Sequence, residues 1–140
     1  MKLIFDESKC IGCYTCHVMC IAQHNTPDKE DAFSYIHIKE VFDEKQGILR
    51  KICIGCTHCG ICLEACQKKA IYRDDSGFVL VHKEKCVGCK RCQSICPNGV
   101  IRFEEDGKMQ KCDACMNRLK EGREPACVSA CCTGAIAIQH

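Results

Sequence analysis

Cys86-Val87-Gly88-Cys89-Lys90-Arg91-Cys92-Gln93-Ser94-Ile95-Cys96-Pro97 decides the architecture of this chain. Its spacing is C-x2-C-x2-C-x3-C-P, the run in which three cysteines hold one iron–sulfur cube and the fourth reaches a neighbouring cube. Two-residue gaps wrap a tight loop around three corners of a cube, with backbone N–H groups pointing at sulfur. The three-residue gap is one helical turn and carries the fourth thiolate towards the next cube. Pro97 is the helix-stopping residue of the same run.

Outward from this stretch the unit repeats. The 140-residue chain has 18 cysteines, and they fall into four groups: residues 9–20 (KCIGCYTCHVMC), 53–66 (CIGCTHCGICLEAC), 85–97 and 111–132 (KCDACMNRLKEGREPACVSACC). Stretches of 32, 19 and 15 residues without cysteine separate them. Lys9, Lys85 and Lys111 each precede a group, and Cys-Ile/Val-Gly-Cys opens three of them. Gly12, Gly55 and Gly88 suit such a loop because glycine accepts unusual dihedrals and close backbone approach. Three groups end alike: Cys66 leads to Ala70-Ile71, Cys96 to Val100-Ile101, and Cys131 to Ala135-Ile136. Strand-like runs flank them at 3–5, 77–81, 100–103 and 135–138. A repeated supersecondary unit is the primary reading.

Composition narrows the chemistry. Without its cysteines the chain has a thin apolar complement: no Trp, five Phe and three Tyr. Something other than an ordinary core must hold it. Disulfides would need an oxidising compartment, and MKLIFDESKC is neither a secretory nor a twin-arginine signal. Zinc takes four ligands, usually as two pairs. A third cysteine two residues after a pair has no role there, yet the first three groups each have one. No apolar run reaches the ~20 residues of a membrane span. Lys and Arg are scattered around a formal charge of +2, so no nucleic-acid footprint appears. There is no phosphate-binding or dinucleotide-binding glycine motif and no acid–base pair, so no catalytic residue is assigned. His17, His24, His37, His58, His82 and His140 read as non-ligands. Lys85, Lys90, Arg91, Lys111 and Arg118 read as a solvated face. Met116, Leu119 and Arg123 read as one amphipathic turn.

The spacer after group one differs from the others. Asn25-Thr26-Pro27-Asp28 reads as a turn, Ser34 to Lys39 alternates like a half-buried strand, and Gln46-Gly47 reads as a second turn. An insertion at about 25–50 is expected, a hairpin or loop beside the cluster core that forms a docking surface.

These residues resemble the four-cluster ferredoxin-like electron-transfer subunits of molybdenum- and tungsten-pterin oxidoreductases, hydrogenases and carbon monoxide dehydrogenases. KCDAC, Arg118, Gly122, Pro125-Ala126-Cys127-Val128, Cys131 and Thr133-Gly134-Ala135 carry the resemblance, with Cys56-Thr57-His58-Cys59 as its second motif. Two residues, not four, separate Cys59 from Cys62, and Gln67 and Cys132 stand where the family has proline. Cys53 offers a second register for group two, but His58 and the Cys66-to-Ala70 tail favour Cys56, Cys59, Cys62 and Cys66. Cys53 and Cys132 read as spare thiols, with substitution of one for a nominal ligand left open.

The resemblance implies an α+β fold of tandem bacterial-ferredoxin-like modules with pseudo-twofold symmetry, short strands and short helices around four [4Fe–4S] clusters. Residues 1–45 plus 105–140 would form an outer module, and residues 46–104 an inner one. It also implies the ligand sets. Cys10, Cys13 and Cys16 would act with Cys131; Cys56, Cys59 and Cys62 with Cys96; Cys86, Cys89 and Cys92 with Cys66; and Cys112, Cys115 and Cys127 with Cys20. The expected function is non-catalytic: relay of single electrons between a catalytic redox subunit and a partner subunit or soluble carrier such as a ferredoxin. The cytoplasm of an anaerobe is the expected location. A freely diffusing polyferredoxin and a zinc-binding interaction module are the alternatives.

Overall fold

The computed structural model describes residues 1–140. Four two-stranded antiparallel ribbons alternate with short helices. β1 (Lys2–Phe5) pairs with β8 (Ile136–Gln139), so the two chain ends close on each other, with Leu3 opposite Ile138. β2 (His37–Asp43) pairs with β3 (Ile48–Ile54). β4 (Ile71–Arg73) pairs with β5 (Val79–Val81), and β6 (Arg102–Phe103) with β7 (Met109–Gln110). The helices are α1 (Thr15–His24), α2 (Ile61–Ala65), α3 (Arg91–Ile95), α4 (Met116–Lys120) and α5 (Ala126–Ala130). Helix α1 packs on α5, and α2 on α3. No helix is long and apolar enough to cross a membrane.

Two separate cores result. One gathers Leu3, Phe33, Tyr35, Ile36, Phe78 and Ile136 around Cys16, Cys20, Cys53, Cys112 and Cys127. The other gathers Ala70, Ile71, Val79, Ile101 and Met109 around Cys62, Cys86 and Cys92. Cysteine is thus a principal core residue, where it packs as a small apolar side chain.

The hairpin read from the insertion is present, with Gln46-Gly47 in its turn. Its first strand starts three residues later than the alternation suggests. Ser34, Tyr35 and Ile36 are buried outside any strand, and β2 itself is largely solvated. The reason is tertiary: Tyr35 donates its backbone N–H to Cys20 Sγ at 3.3 Å, and His17 Nδ1 lies 2.7 Å from the Ile36 carbonyl. That segment is claimed by the core before it can enter a ladder. Strands β4 and β7 escape a sequence reading: Ile71–Arg73 and Met109–Gln110 lie in no apolar run like those at 77–81 and 100–103.

Candidate iron–sulfur centres

The loops share one backbone signature. The residue before the second cysteine is left-handed in all four groups: Gly12 (φ 71°), His58 (φ 58°), Gly88 (φ 74°) and Ala114 (φ 56°). The residue after it is left-handed in the first three: Tyr14, Gly60 and Lys90. A third left-handed residue follows the fourth cysteine by three positions at Lys69, Gly99 and Gly134. In group two this pattern begins at Cys56, not at Cys53. Gly55 therefore has a different role from the one its sequence position suggests. Its φ is not in the left-handed region; an added Cβ would lie 2.3 Å from the Phe5 ring, so it is a packing glycine.

Four of the five helices, all but α4, then place two cysteines one turn apart, on the helix or at its C-cap. Cys16 and Cys20 lie on α1; Cys62 lies on α2 with Cys66 at its C-cap; Cys92 lies on α3 with Cys96 at its C-cap; and Cys127 lies on α5 with Cys131 at its C-cap. Because the helices pack in pairs, sulfur from one group meets sulfur from another. A cavity of about 110 Å³ is lined by Cys86, Cys89, Cys92 and Cys66, closed by Met109 and Phe103. A tighter one is lined by Cys56, Cys59, Cys62 and Cys96. Cys127 lies within electrostatic reach of Cys115 and Cys20. Cys112 is near both Cys127 of its own group and Cys56 of group two, and so brings those two groups together. Around group one, Cys53 sits against Cys10, Cys16 and Cys131, while the exposed Cys132 neighbours Cys13. Cys53 is therefore not a remote spare thiol: β3 delivers it into the group-one site.

The donors fit a metal–sulfur group. All 18 cysteines are free thiols. Backbone N–H groups point at sulfur, as the loop spacing implies: His58 to Cys56 Sγ at 3.4 Å, Ala114 to Cys112 Sγ at 3.3 Å, Met109 to Cys86 Sγ at 3.3 Å, and Ala126 to Cys115 Sγ at 3.5 Å. Burial pushes the Cys112 thiol well above its ordinary value, Cys127 up to about 12 and Cys92 up to about 11. Buried sulfurs of this kind become thiolates by binding metal, which supplies the charge that burial withholds.

His58 adds an orphan. It is 2% exposed, and its Nδ1 accepts the Val79 N–H at 3.0 Å, so Nε2 carries the proton. Nε2 is the one buried side-chain polar atom with no partner, and His58 lines the cavity of Cys56, Cys59, Cys62 and Cys96. A sulfur acceptor in that cavity suits it. Burial first, then the Lys111 charge, pulls His58 down to about 3, so the ring is neutral.

Lys111 departs from the sequence reading. It is 5% exposed, not part of a solvated face. Its Nζ donates to the Cys112 carbonyl at 2.7 Å and to the Val79 carbonyl, and lies 3.5 Å from His58 Nδ1. Those acceptors replace the water that a buried ammonium loses. Lys111 stands between the two cores. Burial raises the thiols of Cys62 on one side and Cys112 on the other, and the Lys111 charge opposes that rise at both. His24 is also closer to the chemistry than its sequence context implies: its Nε2 lies 3.7 Å from Cys115 Sγ and 3.9 Å from Asp113. Neither residue has a sequence signal beyond proximity to cysteine.

Comparison with known proteins agrees with this chemistry. Two models of the 4Fe-4S dicluster domain match, over residues 44–140 and 9–71. The sequence is 33% identical over 136 residues to one of the component polypeptides of the anaerobic dimethyl sulfoxide reductase of Escherichia coli (strain K12), covering 90% of this chain and 66% of that relative. It is 34% identical over 142 residues to the thiosulfate reductase electron transfer subunit of Salmonella typhi, covering 96% of this chain and 72% of the relative. It is 36% identical over 156 residues to the formate dehydrogenase-O iron-sulfur subunit of Escherichia coli (strain K12), covering 96% of this chain and 51% of the relative. The chain thus spans between half and three quarters of the length of these relatives. It belongs to the 4Fe-4S dicluster family of iron–sulfur electron-transfer proteins, and its cofactors are four [4Fe–4S] clusters.

Proposed function

We propose that this chain relays single electrons between the catalytic subunit of a molybdenum- or tungsten-pterin oxidoreductase and a further subunit or soluble carrier. The observation that supports the reading is the placement of cysteines on paired helices. Four helices each carry one cysteine near the start and another one turn on, and they pack as α1 on α5 and α2 on α3. The four ligand sets implied by the resemblance are the ones we adopt. Cys131, Cys96, Cys66 and Cys20 each complete the site of another group.

We further propose the pseudo-symmetric division: an outer module of residues 1–45 and 105–140, and an inner one of residues 46–104. The two cores follow this division except that Cys53 and Phe78 pack in the outer core and Met109 in the inner one. The proximity of Cys112 to Cys56 then gives the order group one, group four, group two, group three. Each cluster, when bound, takes up and passes on one electron. The chain's own residues hold neighbouring sites close together, exclude water from half of the thiols, and place the Lys111 charge at the join. Both ends have the character of docking surfaces. Exposed Cys13 is framed by Ile11, Tyr14 and Val18, and exposed Cys89 by Val87 and Ile95, all apolar and exposed. Thiols must stay reduced to take up iron–sulfur clusters, and we place the chain in the cytoplasm, a reducing compartment.

The test is anaerobic isolation from the native host. A brown complex with about sixteen iron atoms per copy of this chain and a co-purifying pterin-containing subunit is expected. A chain lacking iron and acid-labile sulfide would sink the electron-relay reading. A chain with iron but no partner on gel filtration would replace a subunit by a diffusing carrier.

A further inference from the structure

We propose that Cys53 is a second, interchangeable thiol for the iron corner served by Cys10. This rests on group one holding a [4Fe–4S] cluster. Cys53 is 6% exposed and faces inward from β3. Its Sγ lies 3.8 Å from Cys10 Sγ, and its backbone N–H donates to that same sulfur at 3.4 Å. Cys16 and Cys131 lie within electrostatic reach. It is therefore surrounded by the group-one ligands.

Two thiolates on different irons of a cube are held apart by the cube between them. Sulfurs in van der Waals contact converge on one corner, and a cubane iron takes one thiolate. Cys10 and Cys53 are alternatives at that corner. Exchange between them is a substitution without redox change. Cys53 gives up its proton as it binds, Cys10 takes one as it leaves, and the cluster keeps its charge and oxidation state.

Group three shows what this position is otherwise used for. There β7 lies across the loop as β3 lies across group one. An added Cβ on Gly88 would meet the Gly107 carbonyl at 2.6 Å, and one on Gly12 the Lys51 carbonyl at 2.8 Å. Two residues further on, Met109 donates its N–H to Cys86 Sγ at 3.3 Å, as Cys53 does to Cys10. Met109 is 1% exposed and closes its cavity with an apolar side chain. At group one the same seat holds a thiol.

The experiment compares anaerobically reconstituted wild type, Cys10→Ala, Cys53→Ala, the double variant and Cys86→Ala by iron and sulfide content and by the EPR spin count after reduction. Cys86 has no spare thiol at its corner and is the benchmark. Both single group-one variants are expected to keep wild-type iron, with the Cys10→Ala spectrum altered but present. The double variant and Cys86→Ala are expected to fall by about four iron atoms. Loss of as much iron, or of as much soluble protein, in Cys10→Ala as in Cys86→Ala overturns the proposal. So does full retention in the double variant, because Cys53 is then not the substitute. Wild type without iron would instead overturn the cluster reading beneath it.

Discussion

A single buried cation at the join between the two cores is the clearest residue-scale lever. Lys111 faces thiols on both sides and is held by two carbonyls. Lys111→Met keeps the volume and removes the charge. Added electrons are then less well stabilised, and the group-two and group-four potentials should fall by roughly 50–90 mV, equal to about 1–2 kcal/mol. An EPR-monitored redox titration reads this, with iron content unchanged. Potentials that stay put would show that the charge is already compensated. The loop glycines act differently. Left-handed φ alone does not demand glycine, since His58 and Ala114 occupy the same loop position. What distinguishes Gly12 is the Lys51 carbonyl facing it. Gly12→Ala should destabilise the holo-protein by at least about 1–2 kcal/mol, whereas Gly99→Ala, with the same sign of φ but open space, should cost less. Thermal melts of the two variants compare them directly.

At the scale of an element, the proposed pairing has each cysteine-bearing helix serve two sites, and this makes an unusual prediction. Cys20 lies on α1 with Cys16, but its neighbours are Cys115 and Cys127. Cys20→Ser should therefore expose Cys112, Cys115 and Cys127 to alkylation while Cys10, Cys13 and Cys16 stay protected, as read by mass spectrometry of the labelled peptides. The opposite pattern would break the cross-pairing. The β2–β3 hairpin has its own test. Phe42 and Leu49 are cross-strand partners near its tip and are 60% and 54% exposed. Replacing both by Glu should leave iron content intact and release the co-purifying partner. Retention of the partner would leave docking to the exposed apolar faces around Cys13 and Cys89 alone.

For the whole molecule, metal and fold are one equilibrium. Five of the twelve residues in the larger core are cysteines, as are three of the eight in the smaller. Little conventional apolar area remains to offset chain entropy. Removing iron with a chelator should abolish cooperative melting and most of the far-UV circular dichroism. An apo-protein that melts cooperatively would show that side-chain packing suffices.

Cysteine spacing by itself determined the cluster loops, the helical turn between the last two cysteines of a group and the repeated unit, because ligand geometry around a cube is a local constraint of ten or so residues. The register of group two was not settled by likeness to the other groups, because Cys53-Ile54-Gly55-Cys56 repeats the opening of group one; the left-handed loop residues His58 and Gly60 follow the register that begins at Cys56. Contacts made at long sequence separation were not legible either. Lys111 reads as an ordinary surface lysine until Val79 and His58 fold over it. Ser34 to Ile36 read as strand until the core claims them. Cys53 reads as spare until β3 crosses the group-one loop, 43 residues away along the sequence. Those placements depend on which elements pack together, and only the tertiary structure decides that.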